Sequence, residues 1–252
     1  MKVLITGSSR GIGYQIATDL LDQGHDLALH CNKNRSQLEI LLRNYESNSF
    51  IIQANLSSKI EIKKLIDETC KKFNFPDCII NNAGIAEPSE IKLNLNEWSD
   101  LFDKTIDVNL KAPALIIKEF IELKRKKKIT SRLRFINISS RAAFKGENQD
   151  YISYACSKGG LISLTKTISR SFGKTDNVIA ISIAPGFVRT DMAKSFIDEI
   201  GEEAVSEGIT LDRLTEPKDI SPIISLITNG KLDHSSGSTI DINGGSLSLI
   251  HI

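Results

Sequence analysis

The stretch that decides the fold is Val3-Leu4-Ile5-Thr6-Gly7-Ser8-Ser9-Arg10-Gly11-Ile12-Gly13. A short apolar run is followed by three glycines and then by apolar residues at helical spacing, which predicts a strand, a glycine turn and a helix. Glycines let the backbone approach a ligand closely, and a helix N-terminus presents unpaired N–H groups and a positive dipole end. The turn therefore predicts a cradle for a dinucleotide pyrophosphate, although glycines also serve simply as helix starts.

Short apolar runs and helical patterns alternate along the rest of the chain. The strand candidates are Lys2–Thr6, Asp26–His30, Phe50–Ala54, Cys78–Asn81, Arg134–Ile138, Val178–Ile183 and Thr239–Ile242. The helix candidates are Gly11–Gln23, Ser36–Tyr45, Ile60–Phe73, Trp98–Lys124, Ser153–Phe172 and Pro217–Thr228. This order predicts an α/β fold with a doubly wound, parallel, seven-stranded sheet, because parallel strands need crossover helices on the sheet faces. Ligands of such sheets gather beyond the carboxyl ends of the strands.

Composition predicts one globular domain over residues 1–252. The chain is 40% apolar and 25% charged, and no Pro/Gly/Ser-rich linker divides it. Residues 190–213 interrupt the regular rhythm with Gly201, Gly208 and many acids. We expect a mobile insertion on the substrate side there; the alternative is a rigid pair of surface helices.

Several classes of function are disfavoured by the sequence. A formal net charge of +1 provides no field to attract nucleic acid. The four cysteines form no C-x-x-C pair and the four histidines show no ligand spacing, so we expect reduced thiols and no metal. No apolar run reaches the ~18 residues of a membrane span, and the N-terminal run is too short for a signal peptide. We expect a cytoplasmic protein.

The glycine spacing resembles that of the classical short-chain dehydrogenase/reductase family, and further motifs of this family follow in order along nearly the whole chain. These are Asn81-Asn82-Ala83-Gly84, Asn109, Ser140, Tyr154-Ala155-Cys156-Ser157-Lys158, Pro185-Gly186 through Val188 to Thr190, and Asp241-Ile242-Asn243-Gly244-Gly245. The resemblance implies a Rossmann-type fold and a catalytic set of Asn109, Ser140, Tyr154 and Lys158. In the family the tyrosine moves a proton, the lysine holds the nicotinamide ribose, the serine positions the substrate oxygen and the asparagine holds a water.

Residues four apart share a helix face, so Tyr154 and Lys158 can point into one cleft. A tyrosine has a pKa of ~10 in water, and we expect the Lys158 ammonium to lower the pKa of Tyr154. The ordinary alternative for such a pair is a packed aromatic beside a solvated cation. The segment from Ser140 to Tyr154 is one residue longer than the commonest family spacing, so Ser139 competes with Ser140 for the place facing the substrate.

The residues expected to bind the cofactor come from six segments of the chain. They are Thr6, Gly7, Ser9, Arg10, Gly11, Ile12, Gly13, Cys31, Asn32, Lys33, Asn55, Leu56, Asn82, Ala83, Gly84, Tyr154, Lys158, Pro185, Gly186, Val188 and Thr190. Folds that prefer NAD place an acid about twenty residues beyond the glycine turn. Residues 29–35 hold no carboxylate, whereas Arg10, Lys33 and Arg35 could bind a 2′-phosphate. NADP(H) is favoured over NAD(H), unless these cations are merely solvated.

Within the family the chain looks closest to 3-oxoacyl-acyl-carrier-protein reductases. We expect reduction of a ketone, with a 3-oxoacyl thioester as one candidate substrate. The alternatives are an alcohol, sugar or steroid dehydrogenase that uses NAD(H), and a catalytically silent nucleotide sensor. The basic run Lys124–Lys128 could attract an acidic carrier protein or could be a solvated helix end. Relatives usually form dimers or tetramers through helices that correspond to Trp98–Lys124 and Ser153–Phe172, so we expect a homo-oligomer.

Overall fold

The computed structural model describes residues 1–191, 193, 197, 201–206 and 208–247. Seven parallel strands form one sheet: β1 (Lys2–Ile5), β2 (Asp26–Cys31), β3 (Phe50–Gln53), β4 (Cys78–Asn81), β5 (Leu133–Ile138), β6 (Val178–Pro185) and β7 (Thr239–Ile242). Their order across the sheet is β3-β2-β1-β4-β5-β6-β7. The predicted doubly wound sheet of seven strands is confirmed.

Helices cover both faces of the sheet. Those longer than one turn are α1 (Gly11–Asp22), α2 (Ser36–Leu42), α3 (Lys59–Phe73), α4 (Leu95–Ile106), α5 (Ala112–Lys126), α7 (Ile152–Asp176), α8 (Glu202–Ser206) and α9 (Pro217–Thr228); the short α6 spans Ala142–Lys145. Buried side chains of α1, α2 and α9 pack on one face against residues such as Ile5 and Ile181. Those of α3, α5 and α7 pack on the other face against Leu4 and Phe135. Because successive strand residues point to opposite faces, the strands β1 to β6 contribute to both cores, whereas β7 contributes Ile240 and Ile242 to the first.

The structure contains two helices where one helix, Trp98–Lys124, was predicted. A π-helical turn at Asp107–Lys111 separates α4 from α5, and Pro113 stands in the first turn of α5. The sequence pattern remains helical across this junction, so periodicity could not reveal the extra residue that a π turn inserts. Such turns are frequent at functional sites.

The predicted insertion at residues 190–213 falls partly outside the described residues. Within the described part, α8 is joined to the end of β6 by an ion pair between Arg189 and Glu202. Thr210 donates its backbone N–H to the Gly244 carbonyl at 2.7 Å, and Val188 forms a β-bridge with Thr215. Among the described residues, no helix has the length and apolar content needed to cross a membrane.

The basic run Lys124–Lys128 is mainly structural in this fold. Lys124 is only 3% exposed and donates to the carbonyls of Ile129 and Ser131. Arg125 makes a bidentate pair with Asp176 at 2.6 and 2.8 Å, and Lys127 donates to the Asn74 carbonyl at 2.9 Å. These contacts fasten the end of α5 to neighbouring segments, which weakens the hypothesis of a carrier-protein patch.

We predict that Lys124→Met lowers the free energy of unfolding by about 1–3 kcal/mol, because the carbonyls of Ile129 and Ser131 lose the partly buried hydrogen bonds from the Lys124 ammonium. Burial already lowers the pKa of the Lys124 ammonium, so the charge itself is not well solvated. Urea unfolding followed by circular dichroism measures the effect, with the exposed Lys126→Met as the matched control. Equal stability of the two variants would contradict this structural role.

Candidate active site

The strand order reverses direction between β1 and β4, which is where open α/β sheets form their ligand crevice. The two turns that follow these strands are held together by Thr6. Its buried hydroxyl oxygen accepts the backbone N–H groups of Asn82 and Ala83, both at 3.0 Å. The Asn82 amide donates in turn to the carbonyls of Thr6 and Gly7 at 3.0 and 2.9 Å. These hydrogen bonds join the turns after β1 and β4, which together form one wall of the crevice.

The glycines of the first turn permit this close approach. Gly7 has a φ of +65°, and a Cβ there would lie 2.8 Å from the Cα of Ala83. A Cβ at Gly13 would lie 2.3 Å from the Gly7 oxygen and 2.4 Å from the Asn82 amide nitrogen. Gly11 faces the other side of the crevice, where its Cβ would lie 3.2 Å from the Thr190 methyl group. The turn can therefore pack closely against the segments after β4 and β6 because these side chains are absent.

The end of the turn suits an anionic group. Helix α1 begins after Arg10 with no side-chain cap and no acid in its first turn. Its first N–H groups are therefore available to an oxyanion such as a pyrophosphate. This region fits the phosphate groups of a dinucleotide.

A buried histidine braces the same turn. His30 is 2% exposed, and its Nδ1 accepts the Gly7 backbone N–H at 3.0 Å. Its Nε2 lies 2.9 Å from the Ala54 carbonyl and must donate to it. His30 was not among the residues predicted from the sequence. The feature that could have indicated it is a polar residue near the carboxyl end of an otherwise apolar strand.

Three predicted residues from different elements meet beyond β4 and β5. A Cβ at Gly84 would lie 3.4 Å from both Asn109 Oδ1 and Lys158 Nζ. Asn109, in the π turn, accepts the Ile85 N–H at 2.8 Å and donates to the Ile85 carbonyl at 2.8 Å and to Ser157 Oγ at 3.1 Å. Both N–H groups of the Asn109 side chain are therefore engaged, and the amide joins the segment after β4 to α7.

The structure distinguishes the two serines after β5. Ser139 donates its hydroxyl to the Lys158 carbonyl at 2.9 Å, which commits it to helix α7. Ser140 is hydrogen-bonded to the Tyr154 side chain and also accepts the Ala142 N–H at 3.1 Å. Ser140 is therefore the serine that shares the tyrosine's surroundings.

The electrostatics of Tyr154 and Lys158 differ from the expectation. The pKa of Tyr154 is raised, chiefly because burial disfavours the phenolate, with the Ser140 hydrogen bond opposing and the Glu147 charge adding to the shift. Burial also lowers the pKa of Lys158 to about 8. The ammonium lies 5.6 Å from the Tyr154 ring centre and donates to the Ile138 carbonyl at 2.8 Å. The expected lowering of the Tyr154 pKa by Lys158 is thus not met; the phenol is protonated at neutral pH.

The remaining predicted cofactor contacts fall into two groups. Ser9, Arg10, Asn32, Lys33 and Asn55 are at least partly exposed. Cys31 and Leu56 are buried at 0% and 5% exposure, so their side chains belong to the two cores. The Cys31 thiol packs with the buried leucines of α2, so its side chain is not exposed at the end of β2.

The segment after β6 faces the glycine turn. Pro185 is buried, and a Cβ at Gly186 would lie 2.8 Å from the Asn243 Cα. Val188 is 7% exposed, and its carbonyl accepts the Thr190 hydroxyl at 3.4 Å. Among the described residues, no group of three or more His, Cys, Asp or Glu side chains could hold a metal.

Residues 1–201 match the protein family described as "short chain dehydrogenase". A 3-oxoacyl-[acyl-carrier-protein] reductase from Staphylococcus epidermidis is 30% identical over 248 residues, which cover 97% of this chain and 98% of the relative. One from Rickettsia conorii is 34% identical over 245 residues, covering 97% and 95%. Among solved structures, a 4-hydroxyisoleucine dehydrogenase complexed with NADH superposes with a TM-score of 0.86 at 28% identity, covering 99% of both chains.

We predict that Gly13→Ala abolishes nucleotide binding or folding, because its methyl group would collide with the Gly7 backbone and the Asn82 amide. Gly24→Ala is the matched control: Gly24 has a φ of +75° but no atom within 4 Å of its Cβ position. The control should cost only about 1–2 kcal/mol of backbone strain. Thermal unfolding and calorimetric titration with NADPH test both variants. A Gly13→Ala protein as stable as Gly24→Ala, with the parental affinity, would refute this account of the turn.

Proposed function

Because this chain belongs to the short-chain dehydrogenase family, whose members are oxidoreductases of CH–OH and C=O groups, we propose that it is a ketoreductase that uses NADP(H). The observation that carries this proposal is the protonated Tyr154 phenol bonded to Ser140 beside the buried Lys158. A protonated phenol can donate its proton to the oxygen of a carbonyl whose carbon accepts a hydride. The reaction therefore needs a hydride from elsewhere, which a nicotinamide supplies when bound.

Each catalytic residue has a task that its contacts support. Tyr154 donates the proton, and Ser140 orients the phenol and the substrate oxygen through its hydroxyl. Lys158 has three N–H donors, and the structure gives them one acceptor, the Ile138 carbonyl. The others remain for ribose hydroxyls of a nucleotide. Asn109 acts as a positioning residue, since its amide holds Ile85 against Ser157.

The nucleotide would lie along the crevice between the two strand turns. We propose that the N-terminus of α1 binds its pyrophosphate, and that Asn55, Asn82–Gly84 and the segment Pro185–Thr190 line its remaining length. Asn55 accepts two hydrogen bonds from Ser57 through its side-chain oxygen, so only its amide N–H groups remain to contact a base. The chain is proposed to form one domain over residues 1–252.

NADP(H) is supported by the cations at the adenosine end of the crevice. The side chains of Arg10 and Lys33 are exposed, and no acid stands among residues 29–35. Arg35 is already paired with Glu39 at 2.6 Å, which reduces its availability for a 2′-phosphate. A second candidate is an NAD(H)-dependent dehydrogenase, because the solved 4-hydroxyisoleucine dehydrogenase is complexed with NADH.

The substrate class is proposed from the relatives. Both curated relatives are named as reductases of 3-oxoacyl-[acyl-carrier-protein], so acetoacetyl thioesters are the first substrates to try. We place the protein in the cytoplasm, where NADPH and reduced thiols are maintained, and all four cysteines are free. A homo-oligomer is supported by two exposed apolar side chains at the start of α4, Ile91 just before the helix and Leu95 at its first residue, which are 62% and 80% exposed.

We predict that Tyr154→Phe lowers kcat by ~100-fold or more and leaves NADPH affinity within about threefold, because only the proton donor is lost. Steady-state reduction of an acetoacetyl thioester and calorimetric titration measure the two quantities. Tyr45→Phe is the control: it removes a hydroxyl that bonds the surface residue Asp22 at 2.6 Å. Parental turnover in Tyr154→Phe would overturn the proton-transfer assignment.

We predict that Arg10→Ala weakens NADPH by ~10-fold or more, the loss of one charge-assisted hydrogen bond, while NADH changes by less than about threefold. Lys33→Ala should act in the same direction. Arg43→Ala, an exposed arginine at the end of α2, serves as the control. The measurement is kcat/KM for both cofactors. A parent protein that prefers NADH, or an Arg10→Ala protein weakened equally for both, would favour the NAD(H) alternative.

A further inference from the structure

We propose that His30 is a positioning residue that shapes the nucleotide crevice by binding the glycine turn and the end of β3 at the same time. His30 belongs neither to the predicted catalytic residues nor to the predicted cofactor contacts. It is placed one residue before the end of β2, between the two segments that follow β1 and β3. This inference rests on the proposed nucleotide site.

The two ring nitrogens of His30 have different tasks. Nδ1 accepts the N–H of Gly7, the first glycine of the turn, at 3.0 Å. Nε2 donates to the carbonyl of Ala54 at 2.9 Å, directly before Asn55. Because one nitrogen accepts and the other donates, only the neutral tautomer with its proton on Nε2 satisfies both bonds.

The backbone of His30 forms further hydrogen bonds with the same glycine turn. Its carbonyl accepts the N–H of Ser8 at 2.9 Å and the Ser8 hydroxyl at 3.0 Å. The turn from Gly7 to Ser8 is thereby fixed to β2 through three hydrogen bonds. A shift of this turn would move the N-terminus of α1, where the pyrophosphate is proposed to bind, and positional errors of this kind are costly at preorganised sites.

The surroundings keep this imidazole neutral. Burial lowers the pKa of His30, and the Ala54 carbonyl only partly opposes this effect. No charged side chain among the described residues contributes to the shift. The adjacent ionisable group, Cys31, is itself buried with a raised pKa and carries no charge at neutral pH. Protonation would place an N–H on Nδ1 against the Gly7 N–H and break the bond.

Three substitutions separate the two bonds. In His30→Asn the side-chain oxygen takes the place of Nδ1 and can still accept from Gly7, but the side chain is too short to reach Ala54. His30→Gln can reach Ala54 but has no acceptor near Gly7. His30→Leu keeps apolar volume and loses both bonds. His25→Leu is the matched control, because His25 is also buried, at 6% exposure, but precedes β2 at the opposite edge of the sheet.

Calorimetric titration with NADP⁺ and with NAD⁺ at pH 7.5 tests the proposal. We expect His30→Leu to weaken whichever nucleotide the parent binds by ~10-fold, and His30→Asn and His30→Gln, which each keep one of the two bonds, to weaken it by only ~3-fold. His25→Leu should keep the parental Kd even if it unfolds at lower temperature. His30→Leu with parental affinity, or His30→Asn as weak as His30→Leu in a folded protein, would overturn the role of the Gly7 bond. Weakening by His25→Leu would reduce the effect to general stability and overturn it as well.

The pH profile supplies a second readout. Because burial holds the pKa of folded His30 below its usual 6.5, nucleotide affinity of the parent should be full at pH 7.5 and fall only when the pH drops through that lowered pKa. His30→Asn should lack that fall beyond the titration of the nucleotide phosphate, which both proteins share. Identical profiles would contradict the inference. A parent that binds neither nucleotide at pH 7.5 would instead defeat the proposed function, so the two failures are distinguishable.

Discussion

The Thr6 hydroxyl is the contact on which the rest of the site depends. Thr6 directly follows β1, and strand order reverses between β1 and β4. The Thr6 hydroxyl accepts two backbone N–H groups from the turn after β4, and the chain after Thr6 continues into the glycine turn. Thr6 is 1% exposed, so its hydroxyl is shielded from water, and the two N–H groups that it accepts are partly buried. Buried backbone donors left without an acceptor are costly. The two turns must therefore stay together, and the crevice between their strands has a fixed wall.

A chain of buried polar side chains extends this rigidity towards α7, the helix that carries Tyr154 and Lys158. Asn81, at the end of β4, donates to Asn137 of β5 at 2.8 Å, and Asn137 donates to Thr165 of α7 at 2.8 Å. Lys158 and Ser139 add bonds between α7 and the end of β5. Helix α7 is thus connected to the sheet by polar contacts as well as by apolar packing. Directional bonds of this kind restrict how the helix can rotate, which holds Tyr154 and Lys158 on the crevice side.

The burial of that helix face has an electrostatic consequence. The same desolvation raises the pKa of Tyr154 and lowers that of Lys158 to about 8, so both groups are pushed towards their neutral forms. A neutral phenol suits proton donation in reduction, and an ammonium whose pKa is near 8 responds readily to a neighbouring ligand. The pKa shifts of Tyr154 and Lys158 therefore have one common cause, the desolvation of this face of α7.

The strands, most helices and the gathering of motifs at one edge of the sheet could be predicted from the amino-acid sequence, because periodicity and glycine turns are local properties. The π turn around Asn109, the bond of Tyr154 to Ser140 rather than Ser139, and the burial of Cys31 beneath α2 appear only in the folded chain. The two hydrogen bonds of the His30 ring and the raised pKa of Tyr154 likewise could not be predicted from the sequence. Each of these depends on which groups from distant segments become neighbours and how much water they exclude, and neither quantity is encoded in the spacing of residues along the chain.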